Sequence, residues 1–214
     1  DDTVDDGPAD ADADGYTEDE DCDDGDADIH PDAEELDDGI DNDCNGYADD
    51  VSVCTDSLAD YESIQDAIDS VPDDWTVLVC AGEYEENIRF NGKTTAVIGV
   101  DGAESTIVRP ANDQSPVVAF SDADDSKLAG FTVTGGRAEN GAGILVQGCE
   151  ITLEDNIIVD NQATNNGGGM AAIRSEVWAS GNVFADNIAG NYGGGLLLQE
   201  SSGEFSECVF ERNQ

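Results

Sequence analysis

Between residues 143 and 213 apolar side chains fall at alternate positions, and the pattern itself recurs. Ile144 and Val146, then Ile151 and Leu153, then Ile158 keep a period of two, which is the signature of half-buried strands. Gly143-Ile144-Leu145-Val146 is echoed by Gly169-Met170-Ala171-Ala172 and Gly195-Leu196-Leu197-Leu198, 26 residues apart each time. Asn156, Asn182 and Cys208 share a second register; Ile158, Phe184 and Phe210 a third; Asn161, Asn187 and Asn213 a fourth. Upstream, Leu128–Val133 matches Leu153–Ile158 at a spacing of 25. Such a period marks a solenoid, whose units bury their apolar faces only on one another. A β-sandwich with accidental spacing would not hold four positions in one register.

Three short strands per repeat predict one coil of a parallel β-helix, with equivalent residues stacked about 4.8 Å apart. Val133, Ile158, Phe184 and Phe210 are then one internal stack. Asn156 and Asn182 form an amide ladder at a tight turn, where asparagine tolerates the left-handed conformation. Before the repeats, Tyr61, Ile64, Ala67, Ile68 and Val71 follow helical spacing and Pro72 ends the run, which predicts a short helix over the open end of the first coil.

These residues resemble the right-handed parallel β-helix, the pectate-lyase-like fold. The start at Tyr61–Ile68 followed by Thr76–Tyr84 is similar to the opening coil of that family, and the likeness covers 58–214. It implies an all-β solenoid and leaves function open, because the scaffold hosts lyases, hydrolases, adhesins and inert surface proteins.

Composition narrows the partners. There are 51 acidic and 7 basic side chains, for a net charge of −44. Phosphate backbones need Lys and Arg, so nucleic acid is excluded, and anionic membranes are disfavoured. No apolar run is long enough to span a bilayer. Cations are the natural partners. The six cysteines are an even count, expected as disulfides in a secreted or surface-attached protein. The expected pairs are Cys22–Cys44 and Cys54–Cys80. Cys149 and Cys208, at non-equivalent positions, are expected to stay unpaired in the core or a turn, or one of them to pair beyond this chain.

The first 50 residues hold 24 acidic side chains and no Lys or Arg. Residues 1–9 read as a disordered linker. Then Asp10-x-Asp12-x-Asp14-Gly15-Tyr16, with Asp21 twelfth, fits a calcium loop. Alternate carboxylates converge on one point when a glycine allows the sharp turn, and the Tyr16 carbonyl is a further expected ligand. A second loop runs Asp41-x-Asp43-x-Asn45-Gly46-Tyr47, with Asp49 ninth and the Tyr47 carbonyl as a ligand. Its twelfth position is Ser52, so the last carboxylate is expected from Asp50, Glu35 or Asp38. Too few apolar residues are present for a core, so metal and disulfide must supply the order.

Residues 10–50 resemble the metal-binding motif of MopE-type proteins, on Asp14-Gly15-Tyr16, Asp21-Cys22-Asp23-Asp24, Pro31-x-Ala33-x-Glu35 and Asp38–Gly46. Where that motif has a third cysteine this chain has Asp37, which favours Cys22–Cys44. The resemblance implies a bacterial secreted or surface-attached protein, with copper in one branch. Copper prefers His, Met and thiolate, and only His30 and Met170 are on offer, so Ca²⁺ is the expected ion and copper the lesser alternative.

The expected organisation is linker 1–9, calcium module 10–50, joint and capping helix 51–75, and β-helix 76–214. Because the chain stops just after Phe210, the β-helix is expected to continue or to be covered by another copy, which would propagate into a fibre. No catalytic constellation is assigned; Asp160 and Asp186 are the one stacked carboxylate pair noted. The functional expectation is a calcium-binding surface or structural protein (adhesin, stalk or fibre component), with extracellular polysaccharide or further copies of itself as partners. The alternative is a polysaccharide lyase or hydrolase on the same fold.

Overall fold

In the computed structural model, which describes residues 9–55 and 59–214, the alternating segments form strands that pair in parallel from coil to coil. All but Ala9 of the expected linker lies outside the described residues. The chain divides into two compact units, 1–50 and 51–214.

The second unit is a parallel β-helix of six coils built on three long sheets. One sheet carries Thr76–Val79, Ala96–Gly99, Ser126–Ala129, Glu150–Glu154, Glu176–Ser180 and Ser202–Ser206, with Asp50–Val53 as its first strand. The 51–75 segment is therefore more than a joint, since residues 51–53 open this sheet. A second sheet runs from Gly82–Glu85 to Val209–Glu211, and a third from Ile88–Arg89 to Leu196–Gln199. The last coils add a fourth strand that three-strand spacing did not predict: Arg137–Asn140, Gln162–Asn166 and Ile188–Ala189. The first two of these strands are polar outside, the third exposes Ile188, and together they bury only Ala138 and Ala163, too weak an apolar signal to read as strands.

The expected stack is present and longer than expected. Tyr84, Val108, Val133, Ile158, Phe184 and Phe210 pair in register down one column. Val133, Ile158 and Phe184 are fully buried, whereas Phe210 in the last coil is 46% exposed. Each core residue thus sits on the one below it, so burial is supplied by neighbouring coils rather than within one.

The ladder differs from expectation in one respect. The left-handed residue at each corner is not the asparagine but the residue before it: Asp155, Gly181 and Glu207 at one corner, Asp160, Asp186 and Arg212 at the next. Of the residues that follow, Asn156, Asn182, Asn161 and Asn187 are buried and Asn213 is half-buried. The Asn156 Oδ1 accepts from the Phe131 N–H at 3.0 Å, and the Asn156 N–H donates to Asn182 Oδ1 at 3.0 Å. Asn161, Asn187 and Asn213 repeat this at the second corner, where each Nδ2 also donates to a backbone carbonyl of the preceding coil. Corner N–H groups lie outside the strand ladders, and a buried orphan would cost about 1–3 kcal/mol, so the side-chain amides complete the pairing. Close approach explains the recurring glycines: a Cβ on Gly169 would lie 2.5 Å from the Gly195 carbonyl and 2.9 Å from Asn187 Nδ2.

Cys208 occupies the third place of the first ladder, where its Sγ meets Asn182 Nδ2 at 3.9 Å. It is an unpaired thiol, as is the buried Cys149. Sulfur is a weak acceptor. Cys208→Asn should therefore extend the ladder and stabilise by about 1 kcal/mol, raising the β-helix melting point by about 2–4 °C. Calorimetry checks this, and an unchanged or lowered transition would mean the corner does not accept the amide.

The helix spans Ile64–Ser70 and buries Ile64, Ala67 and Ile68. Ser63 is its N-cap, and the Glu86 carboxylate accepts from Ser63 Oγ and from the N–H groups of Ile64 and Gln65. Tyr61, expected on the helix, is instead bridged to Val53 before it. Cys54–Cys80 ties the segment before the helix to the end of the first full coil strand. Among the described residues no helix is long and apolar enough to cross a membrane.

Candidate metal centres

The first unit has almost no apolar interior: Ile29 is its one buried hydrophobic side chain among the described residues. Carboxylates organise the backbone instead. Asp10 accepts from the N–H groups of Ala13 and Gly15, Asp12 from Asp14, Asp14 from Tyr16 and Asp21 from Asp23. Ala13 and Gly15 take left-handed φ of 70° and 109°, which curls the loop. Asp10 uses both of its oxygens in this way, and Asp12, Asp14 and Asp21 use only Oδ1.

The other oxygens carry the chemistry. Oδ2 of Asp12, Asp14 and Asp21 are buried and have no hydrogen-bond partner. The three carboxylates bring ligand atoms within 4.8 Å of one another, and Asp21 is only 9% exposed. At that separation two ionised carboxylates repel by roughly 3 kcal/mol at an effective dielectric of about 20. Burial, followed by the charges of Asp14, Asp21 and Asp10, pushes the Asp12 carboxyl up. Three inward, unpartnered oxygens suit a hard cation. Asp10 sits with Asp12 and Asp24 in an adjoining group, and Asp24 was not expected there. The Tyr16 ring stacks on His30, and its hydroxyl donates to Asp32 at 2.9 Å.

In the second loop, Asp41 accepts from the N–H groups of Asn45 and Gly46, and Asn45 accepts from that of Tyr47. Glu35, Asp43 and Asp50 converge to within 4.8 Å. Of the three candidates for the missing carboxylate, Glu35 and Asp50 face Asp43; the Asp38 carboxylate accepts from the Ile40 N–H. Asp49 stands outside this group, its carboxylate accepting from the N–H groups of Asp38 and Gly39. Glu35 also accepts from the N–H groups of Asn42, Asp43 and Asp49, so it braces the loop it faces. Asn45 Nδ2 donates to Asp43 and Asp50. Asp50 is 4% exposed, and burial together with Asp43, Glu35 and Asp41 pushes its carboxyl up to about 7.

Cys22–Cys44 links the end of one loop to the middle of the other, with Cα atoms 5.7 Å apart. Those sulfurs are bonded to each other, so they are not thiolate ligands. Apart from the group that Asp21 forms with these two bonded sulfurs, the converging ligand atoms among the described residues are carboxylate oxygens. Met170 is fully buried in the β-helix core, and His30 Nδ1 is 2.8 Å from the Pro31 carbonyl. This donor set fits a hard divalent ion and offers little to copper.

A pH dependence follows. Asp50 has a folded pKa above its unfolded value of about 4. Without cation, the folded module binds more protons, so its stability is greatest below about pH 4 and falls as pH rises towards 7. Bound cation holds Asp50 ionised and should reverse that slope. Melting curves between pH 4 and 7.5, with chelator and with calcium, check both signs.

In the β-helix, Asp160 and Asp186 border a shallow groove with Arg137 and Gln162. Asp186 is held by Arg212 through two hydrogen bonds of 2.8 Å, which lower its pKa. Arg174 sits at a corner beside Asp124, Glu150, Glu176 and Glu200.

Residues 21–50 match the family model Cu-binding_MopE, described as "Putative metal-binding motif". Among solved structures, the chain is similar to pectin methylesterase from carrot, at 11% identity over 75% of this chain and 82% of that one, with a TM-score of 0.31. It is also similar to the pectin methylesterase from Aspergillus niger, at 12% identity over 76% and 85%, with a TM-score of 0.33. No curated protein matches.

Proposed function

We propose that this chain is an extracellular, calcium-binding surface or structural protein, in which cations order the first unit and the β-helix forms the body. The buried, unpartnered oxygens of Asp12, Asp14 and Asp21 carry the reading. Asp10, the Tyr16 carbonyl and water complete the first ion's shell; Glu35, Asp43 and Asp50, with Asp41 beside them, hold a second. A bound divalent ion neutralises the clustered charge, and its role is structural. The oxygen-only donor set supports calcium over copper. Two disulfides support an oxidising, extracellular setting. Polysaccharide cleavage is the weaker reading, since Arg212 keeps Asp186 ionised and so unsuited to act as a general acid.

Terbium luminescence tests this, because Tyr16 beside the first loop can sensitise a bound lanthanide. Terbium emission should appear on binding, be displaced by calcium and fall in Asp12→Asn/Asp21→Asn to that of the second site alone. Emission displaced by copper but not by calcium would overturn the assignment.

A further inference from the structure

Trp178 stands on the outer face of the seven-stranded sheet and is 40% exposed. Among the described residues it is the one exposed large apolar side chain on that sheet. Its ring is held in place: Nε1 donates to Glu150 Oε1 at 2.8 Å. Thr152 and Glu204 flank it in register on the neighbouring strands. Glu154, Ser180 and Ser206 complete a shallow trough beside the indole. Lys127 is engaged by the trough residue Glu154 at 2.5 Å. Nothing in the core explains this tryptophan, since its strand already buries Val177 and Ala179 on the inner face.

We propose that this trough binds a neutral glycan. A flat, fixed indole matches the C–H face of a pyranose ring, and an amphipathic aromatic beside polar groups is suited to such a surface. The rim offers carboxylate and hydroxyl acceptors, which match the many O–H donors of an uncharged sugar. The net charge of −44 opposes uronates and other anionic glycans. The strip is narrow and lacks the apolar centre that a protein partner would use. The trough lies wholly within the second unit, so the inference is independent of cation binding.

Tryptophan emission reads it directly, because Trp75, the other tryptophan, is 9% exposed. The full-length protein is titrated with cellohexaose, maltohexaose, xylohexaose, mannohexaose and hexagalacturonate, with calcium and again with chelator, alongside an array of neutral glycans. At least one neutral glycan should give a saturable change with or without calcium. Isothermal calorimetry, which does not depend on the indole, compares the variants: Trp178→Ala should weaken binding at least tenfold, about 1.4 kcal/mol, and Trp178→Phe should retain part of it. Circular dichroism confirms that the variants fold. Wild-type protein that binds no neutral glycan, binding confined to charged glycans, or binding that survives Trp178→Ala overturns the proposal.

Discussion

Phe184→Ala should destabilise the β-helix by about 3–5 kcal/mol. Phe184 is fully buried and lies in register between Ile158 and Phe210. Its ring is parallel to that of Phe210 to within 3°, with centroids 4.8 Å apart. Truncation removes the transfer term, opens a cavity between coils and loses the ring contact. Because Phe210 is half-exposed, water can enter the cavity from below, which places the loss near the lower end of that range. Coils are held by their neighbours, so the damage should centre on residues 183–214. Ile157→Ala, one position along and only partly buried, should cost about 1 kcal/mol or less. Urea denaturation compares the two, and hydrogen exchange locates the loss. Equal losses at both sites would contradict the strand phase.

Chelation should unfold the first unit and spare the second. Among the described residues Ile29 is the one buried hydrophobic in the first unit, against a long continuous core in the β-helix. The Cys22–Cys44 bond restrains the unfolded chain but leaves the carboxylate repulsion in place. With affinities of about 10⁻⁴–10⁻³ M, about 2 mM free calcium stabilises each site by about 0.7–1.8 kcal/mol over the empty state. Limited proteolysis after chelator treatment should therefore cut within residues 9–50, while the β-helix keeps its circular dichroism and its melting transition. Intact residues 9–50 after chelation, or loss of both units together, would contradict this.

The parts legible in the sequence were those with a repeated physical cause. Ile158, Phe184 and the corner asparagines recur because each coil solves one packing problem, so period and register carry the fold. The fourth strand was not legible because Gln162–Asn166 is polar and buries only Ala163, too little apolar alternation to reveal it. The left-handed corner residue was misplaced for a related reason: Asn156 is prominent because its amide is buried, yet the turn is made by Asp155, whose place Gly181 and Glu207 take in the next two coils. In the first unit the Asp-x-Asp spacing pointed to the group at Asp12, Asp14 and Asp21. The pairing of Glu35 with Asp50 is a tertiary contact across 15 residues, which left several candidates open in the linear pattern.

Calorimetric titration of calcium into the chelated, full-length protein tests the central claim most directly. Binding should saturate at about two ions in the 10⁻⁴–10⁻³ M range, with one lost in Asp21→Asn and the other in Asp50→Asn. Absence of saturable calcium binding, or binding unchanged in both variants, would contradict the account.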